Sequence, residues 1–218
     1  MKRFVVVGLG NFGASVAEAL YSSGHDVAAL DRDPERVDDM ARLVTRAAVG
    51  DGTDPRTLQQ LGAEDADAAV VSTGDDLTAS ALTTLVLRDL GVDEIYVKVV
   101  SHDHARLLEK IGVRETIFPE RESGIRLGKR IASRTLLNYV QLGPGFSVQE
   151  MAVPPSWVGR SLRELEPRRR HQISVVAVHD ILLDRIHAVP DPDQPLKDSD
   201  ALLVAGADES LAEAAKLE

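Results

Sequence analysis

The first 120 residues alternate short apolar runs, rich in β-branched residues, with longer amphipathic stretches. The apolar runs predict strands at 3–7, 26–30, 46–49, 68–71, 94–99 and 115–117, and the stretches between them predict helices at 11–22, from 34, from 55, at 75–90 and at 102–111. Strands that alternate with helices in this way form a parallel sheet covered by helices. We therefore expect an α/β fold, a Rossmann-like doubly wound parallel sheet, for residues 1–120.

Helix boundaries in this region carry their own local signals. Two Asp-Pro steps, at 33–34 and 54–55, each provide a carboxylate for the N-cap and a proline for the first helical turn. Gly91 and Gly112 suit the left-handed conformation that ends many helices. These signals support helices that begin at 34 and 55 and others that end near 90 and 111.

The pattern changes after residue 119. Residues 120–140 predict a crossover helix, extending to about 138, and a linker, and a Gly-Pro-Gly step follows at 143–145. Residues 141–218 predict a small α+β domain with strands at 146–153, 173–178, 182–189 and 201–205 and a helix at 208–217. The expected organisation is thus a nucleotide-binding domain, a crossover segment and a small C-terminal domain.

Composition narrows the possible partners. The chain of 218 residues has a formal charge of −10 and only 4% aromatic residues, so a nucleic acid is not expected as a ligand. It has no cysteine, which favours the cytoplasm over an oxidising compartment. No apolar run in the sequence approaches the roughly 18 residues that a membrane-spanning helix needs.

A glycine-rich loop follows the first predicted strand. Gly8, Gly10 and Gly13 form the pattern GxGxxG between a strand and a helix. In a dinucleotide-binding loop the first glycine permits the tight turn, the second lets a pyrophosphate approach the backbone, and the third lets the helix pack closely. Asp31 ends the second strand, where a carboxylate can accept hydrogen bonds from ribose hydroxyls. Together these residues predict a site for NAD or an adenine nucleotide.

Two further loops are expected at the same edge of the sheet. Asp51 could accept a hydrogen bond from an adenine amino group, or it could belong to a simple turn before the helix capped by Asp54. Thr73 and Gly74 could contact phosphates, although a helix cap provided by Thr73 or Asp75 explains that loop equally well. The sequence leaves both alternatives open.

The sequence offers little for catalysis. No tyrosine is followed by lysine four positions later, so a common catalytic dyad of dehydrogenases is absent from the sequence. His102 and His104 are two positions apart and would point in different directions on a helix, and we expect both to be solvated residues at its start. Five arginines between 160 and 170 predict an exposed structural loop, with an anion site as the alternative. A regulatory protein that binds a nucleotide without turnover is therefore the leading interpretation, and a compact NAD-dependent oxidoreductase is the alternative.

Several segments, in order, resemble the RCK (regulator of potassium conductance) family, and most closely its soluble Trk/Ktr-type gating subunits. They are residues 5–13, 29–31, 79–85, 97–99, 108–112 and 118–120, and the tail from about 140 resembles the C-terminal RCK subdomain. The resemblance implies a homodimer that assembles into an octameric ring and docks on a membrane-embedded potassium translocating subunit at the inner face of the membrane. It further implies that exchange between ATP or NADH and ADP or NAD controls that partner.

The resemblance also assigns residues. The nucleotide-binding set is Gly8, Gly10, Asn11, Phe12, Gly13, Asp31, Arg32, Asp51, Gly52, Thr73, Gly74 and Lys98. Glu120 matches a position that can contribute to a divalent-cation site between subunits. For cyclic di-AMP, which some relatives bind in the C-terminal subdomain, the candidates are Arg169, His171, Ile173 and Val175. Asn11 departs from the family, because Ktr-type members often place there an arginine that reaches the terminal phosphate.

Overall fold

The computed structural model describes residues 1–132 and 136–217. These residues separate into two units, Met1–Arg121 and Glu122–Glu218. The first unit contains a parallel sheet and the second an antiparallel one. Within the described residues, no helix combines the length and the apolar character needed to cross a bilayer.

The first unit is the predicted α/β fold. Its strands are β1 (Arg3–Val7), β2 (Asp26–Asp31), β3 (Arg46–Val49), β4 (Ala68–Val71), β5 (Ile95–Lys98) and β6 (Glu115–Ile117). Its helices are α1 (Asn11–Ser22), α2 (Pro34–Met40), α3 (Pro55–Leu61), α4 (Leu77–Asp89) and α5 (His102–Ile111), with a 3-10 turn at Ala63–Asp65. The strands are all parallel and lie in the order β3-β2-β1-β4-β5-β6, which confirms the Rossmann-like topology.

Both faces of this sheet are buried, as the near-continuous apolar strands require. In β1, Val5 and Val7 belong to the core on one face, whereas Val6 belongs to the core on the other. The first core also receives Leu58 and Leu87 from α3 and α4, and the second receives Ala17 from α1. Helices on both faces therefore fix the sheet and hold the ends of its strands in place.

The capping predictions hold with one exception. Asp33 and Asp54 accept hydrogen bonds from the backbone N–H groups of Glu35 and Arg56 at 3.0 and 3.2 Å. The prediction that Thr73 or Asp75 caps α4 is wrong, because Asp76 is the N-cap and accepts from the Ala79 N–H at 2.9 Å. The helix consequently starts two residues later than expected, and the loop before it is longer.

The second unit is a small α+β structure, as expected. It contains most of α6 (Pro119–Ala132), then β7 (Leu136–Gly143), β8 (Phe146–Ala152), a 3-10 turn (Pro155–Trp157), α7 (Leu162–Leu165), α8 (Pro167–Arg170), β9 (Ile173–Asp180), β10 (Arg185–His187), β11 (Asp200–Ala207) and α9 (Asp208–Ala214). The strands lie in the order β10-β9-β11-β8-β7, and each neighbouring pair is antiparallel. Met151, Ile173, Leu202 and Leu211 are fully buried in its core.

One element differs from its prediction. The helix predicted from 120 to about 138 ends at Ala132, residues 133–135 lie outside the described residues, and Leu136 already begins β7. From there the chain pairs with β8, and Tyr139 is buried at the register position of Gln149. Pairing along eight residues of β7 outweighs the weak helical signal of the segment, since tertiary contacts override local propensity.

Candidate nucleotide-binding site

The glycine loop lies at the carboxyl edge of the parallel sheet, where β1 and β4 are neighbours. The chain turns away from β1 toward α1 on one side and from β4 toward α4 on the other, so this is the point at which the strand order reverses. Ligands of open α/β sheets bind in the crevice at such a point. The topology therefore gives the first unit one preferred place for a ligand.

The three glycines of the loop have different surroundings. Gly8 has a φ of 92°, and a Cβ atom there would lie 2.1 Å from the carbonyl oxygen of Ser72. A Cβ atom on Gly13 would lie 1.9 Å from the carbonyl oxygen of Gly8, so both positions exclude any side chain. Gly10 is different, because the nearest heavy atom to its Cβ position among the described residues is the Arg36 Nη1 at 3.9 Å. The backbone of Gly10 is thus the part of the loop that a ligand can approach.

Asp31 is built into the loop and is largely buried. Its Oδ2 accepts a hydrogen bond from the Leu9 N–H at 2.5 Å, and its Oδ1 accepts one from the Asp33 N–H at 2.9 Å. Each carboxylate oxygen has a second lone pair, so these contacts leave acceptor capacity for ribose hydroxyls. Asp31 therefore fixes the glycine loop to the end of β2 in addition to any contact that it makes with a ligand.

Arg32 and Asp51 form an ion pair across the ends of β2 and β3. The Arg32 Nη2 donates to the Asp51 Oδ1 at 2.8 Å, and its Nη1 lies 4.0 Å from Asp76. The hydrogen bond from Arg32, followed by those from the backbone and the hydroxyl of Thr53, lowers the pKa of Asp51 to about 2. Asp51 is therefore ionised at any physiological pH, and an adenine amino group would have to share it with Arg32.

The remaining predicted residues fall into two groups. Thr73 and Gly74 lie in the loop after β4, and Asn11 lies at the first position of α1. A Cβ atom on Gly74 would meet open space. In contrast, Phe12 packs against the core on the α1 face of the sheet, and a Cβ on Gly52 would lie 2.5 Å from the Val7 Cγ1. These two residues support the loops by packing, and their predicted contact with a ligand stays a prediction.

Lys98 and Glu120 pair with each other near the end of β5. The Lys98 Nζ lies 2.6 Å from the Glu120 Oε1, and this hydrogen bond lowers the pKa of Glu120. Across residues 1–132 and 136–217, no three histidine or acidic side chains lie close enough together to hold a metal ion. Glu120 on one chain does not fit a divalent cation without ligands from elsewhere, so its role as a metal ligand stays a prediction.

The positions of two side chains near this edge differ from what the sequence predicts. Arg36, in the first turn of α2, extends toward Gly10 and Asp31, although its sequence context is that of an ordinary helix surface. His104 was expected to be solvated, and that is wrong: its side chain is buried, and its Nε2 lies 3.1 Å from the Ser80 Oγ. Burial lowers the pKa of His104, so it links α5 to α4 as a neutral ring.

A second candidate site lies in the second unit. A cavity of about 440 Å³ is lined by Leu162, Arg163, Glu166, Pro167, Arg168, Arg169, Ile173, Val175 and Pro192. It therefore includes three of the four residues predicted for a second ligand. The fourth, His171, instead packs against Trp157 with the ring centroids 5.4 Å apart. Three of the five arginines thus line a cavity, and the anion-site alternative stays a prediction.

Comparison with known families and sequences identifies relatives along the whole chain. Residues 4–119 match the family model of the TrkA-N domain, and residues 148–218 match that of the TrkA-C domain. The Ktr system potassium uptake protein C of Bacillus subtilis is 37% identical over 81% of this chain and 80% of its own length. The Ktr system potassium uptake protein A of Vibrio alginolyticus is 33% identical over 97% of this chain and 95% of its own.

Solved structures give the same fold. The RCK domain of GsuK superposes with a TM-score of 0.65 at 18% identity over 99% of this chain, and the GsuK channel bound to NAD does so with a TM-score of 0.67 at 19% identity over 99%. This chain spans 47% and 39% of those two chains, less than half of each. At such identities the likeness concerns the fold alone.

Proposed function

The chain belongs to the Trk/Ktr family of potassium uptake proteins, defined by its TrkA-N and TrkA-C domains, and from this premise we propose that it is the nucleotide-sensing regulatory subunit of a bacterial potassium uptake transporter. The observation that carries the proposal is the open backbone of Gly10 at the reversal point of a Rossmann-like sheet. A family member that binds no nucleotide would gain nothing from an open space beside the backbone of Gly10.

The ligand that suits this crevice is NAD(H) or ATP/ADP. A phosphate can approach the bare backbone at Gly10, next to the first turn of α1, where N–H groups have no partner within the helix. Asp31 retains acceptor capacity for a ribose, and Asp51 is the candidate acceptor for the adenine. The GsuK channel bound to NAD has the same fold, which supports NAD as one ligand to test.

Control of a partner requires a nucleotide that binds two conformations with different affinities, because equal affinity would shift no equilibrium. Turnover is not required, and we propose that the protein is not an enzyme. A general base works best with a pKa near the operating pH. Asp51 and Glu120, at the ligand edge of the sheet, instead have lowered pKa values.

The proposed partner is a membrane-embedded potassium translocating subunit, with this protein at the cytoplasmic face of the membrane. The proposed assembly is a homodimer that builds an octameric ring. Exposed apolar side chains on two helices support self-association, since large exposed apolar patches mark interaction surfaces. They are Leu82 and Leu85 on α4 and Ile125, Leu127 and Ile131 on α6. Light scattering on the purified protein would give its mass as a multiple of 23.6 kDa.

The cavity of the second unit is the proposed site for cyclic di-AMP. Arg163, Arg168 and Arg169 supply positive charge for its phosphates, and Ile173 and Val175 supply apolar surface for its bases. A divalent cation at Glu120 is proposed only for the assembled protein, in which another copy could add ligands.

Two experiments test the proposed function. Thermal shifts with ATP, ADP, NAD and NADH should show stabilisation by at least one nucleotide, because a ligand that binds the native state raises its stability. Incubation of NADH with small carbonyl compounds should show binding without sustained oxidation, and steady consumption of NADH would instead favour the oxidoreductase.

A third experiment concerns the partner. A tagged copy of this chain should co-purify with the potassium translocating subunit, and added nucleotide should change transport by the complex. Gly10→Asp places a carboxylate where the phosphate is expected and should abolish the nucleotide effect. If Gly10→Asp leaves the response to nucleotide intact, the crevice is not the sensing site.

A further inference from the structure

The crevice needs a positive charge, and the glycine loop does not provide one. Asn11, at the first position of α1, is neutral, while Asp31 and Asp33 both lie close by. Two carboxylates beside a phosphate repel it unless a cation stands between them. A cation from another element would therefore offset this repulsion and add to the attraction of the α1 N–H groups for the phosphate.

Arg36 is in the right place to be that cation. It lies in the first turn of α2, and its Nη1 is the heavy atom nearest to the open side of Gly10, at 3.9 Å from the Cβ position. That distance leaves room for a side chain of one carbon but is short enough for the guanidinium to reach a phosphate lying on the Gly10 backbone. Gly8 and Gly13 offer no comparable space, because backbone atoms block both.

The donors of Arg36 are only loosely engaged. Its Nη1 lies 3.7 Å from the Asp31 Oδ2, and its Nε lies 3.5 Å from the Asp33 Oδ2. Both separations exceed the 2.7–3.2 Å of ordinary N–H···O hydrogen bonds. The side chain is 53% exposed. By contrast, the guanidinium of Arg32 already makes a 2.8 Å hydrogen bond to Asp51.

We propose that Arg36 is a ligand-binding residue that holds the nucleotide phosphate lying on Gly10, in place of the cation that position 11 lacks. This inference rests on the proposed nucleotide-binding function. The two Asp contacts hold the guanidinium over the loop, and the phosphate takes up its free donors in a bidentate contact. Because Arg36 belongs to the same chain as Gly10, this contact does not depend on a neighbouring subunit.

The test is calorimetric titration of the full chain and its variants with ADP and, separately, with NAD, at low and high salt. Arg36→Gln should weaken binding about tenfold, as expected for the loss of a charge-assisted hydrogen bond at a half-exposed site. Its affinity should also depend less on salt, because the screened attraction has been removed. Arg36→Lys keeps the charge but loses the bidentate fork, so it should recover the wild-type salt dependence and only part of the affinity, which a purely structural role of the arginine would not predict.

Arg42→Gln is the matched control, since it removes the same charge from an exposed position two residues after the end of α2. It should bind like the wild type. The inference is overturned if the wild type binds either nucleotide and Arg36→Gln binds it equally well. It is also overturned if Arg36→Gln weakens binding with unchanged salt dependence and no recovery in Arg36→Lys. If the wild type binds neither ADP nor NAD, the proposed function fails together with it.

Discussion

The two candidate sites are made of different parts of the chain. The crevice of the first unit is shaped by backbone: the Gly8 and Gly13 positions are closed by carbonyl oxygens, and the Gly10 position is open. The cavity of the second unit is shaped by side chains, among them Arg168 and Arg169. A backbone site is encoded in glycine spacing and is readable from sequence, whereas a side-chain site becomes visible only when the fold brings its residues together.

The same difference predicts how substitutions in each site affect folding and binding. Changes at Gly8, Gly13 and Asp31 in the first site should alter folding as well as binding, because these residues are part of the loop structure. Changes in the second should alter binding alone, because its arginines are exposed. The following substitutions test this contrast.

Gly13→Ala should have the largest effect. Its Cβ would lie 1.9 Å from the carbonyl oxygen of Gly8, which is backbone and cannot rotate away. The loop or α1 would have to move, and we expect the free energy of unfolding to fall by about 3 kcal/mol, at the upper end of the cost of overpacking. Chemical denaturation of the purified variant measures this loss directly.

Gly10→Ala is the control for that substitution. The nearest atom to its Cβ position is the flexible Arg36 side chain at 3.9 Å, so stability should change by less than about 0.5 kcal/mol. Nucleotide affinity should nevertheless fall, since the methyl group occupies the phosphate position. Equal stability losses in both variants would remove the distinction between a packed and an open glycine.

Most of the first unit could be predicted because several signals agree there. Strands β1, β3, β4 and β6 have the predicted bounds, and the Asp-Pro steps start α2 and α3 where expected. The start of α4 was misplaced because three possible capping residues precede it and the sequence does not show which of them caps the helix, a role that Asp76 takes in the structure. The burial of His104 was missed because its spacing from His102 says nothing about the partner, Ser80, on another helix.

The start of the second unit was harder to predict because its sequence is also compatible with a helix. Residues 136–138 continue an amphipathic helix in sequence, and only pairing with β8 makes them a strand. The position of Arg36 in the first unit could not be predicted for a similar reason. Nothing in the sequence of α2 indicates that the side chain of Arg36, the third residue of this helix, extends over Gly10. Local motifs predict backbone geometry, but they do not predict which distant side chain completes it.

Arg169→Gln tests the side-chain site. We expect binding of cyclic di-AMP to weaken about tenfold, because a charge-assisted contact is lost at an exposed site. Stability should be nearly unchanged, since the ion pair of Arg169 with Glu166, at 3.4 Å, is a surface pair. Fluorescence titration and thermal denaturation measure the two quantities on the same sample.

Arg170→Gln is the matched control. Arg170 lies in the same helix, α8, and also pairs with Glu166 at 3.4 Å, but it does not line the cavity. It should retain cyclic di-AMP binding. If both variants lose the same affinity, the effect comes from the overall charge of the helix and not from the cavity.

A fall in pH should change the contributions of His104 and His179 to stability in opposite directions. Burial lowers the pKa of His104 below the ordinary 6.5, so the unfolded chain binds more protons than the folded one. The contribution of His104 to stability is therefore present above pH 6.5 and is lost as the pH falls through the lower, folded-state pKa. His104→Gln should reduce this acid sensitivity of the first unit.

His179 is the contrasting group in the second unit. Its ring contacts Glu150 at 2.8 Å and Asp184 at 3.3 Å, and the hydrogen bond to Glu150 raises its pKa above 6.5. Its contribution is therefore present below pH 6.5 and disappears as the pH rises through the folded-state pKa. Hydrogen exchange between pH 5 and 8 should show α5 losing protection toward acid while β9 does not. Parallel losses in both would contradict the assignment.

Arg32→Gln should have the smallest effect, and it tests whether Asp51 is held by a side chain or by its own loop. The hydrogen bond from Arg32 is the main cause of the low pKa of Asp51, about 2, and the two bonds from Thr53 come next. Loss of Arg32 should raise that pKa by about one unit, toward the ordinary 3.8, while Thr53 keeps it from rising fully. Carbon-detected NMR titration of the Asp51 carboxyl measures the change. A pKa that stays near 2 would mean that the N–H and the hydroxyl of Thr53 are enough to fix Asp51, so that its own loop and not Arg32 holds this carboxylate.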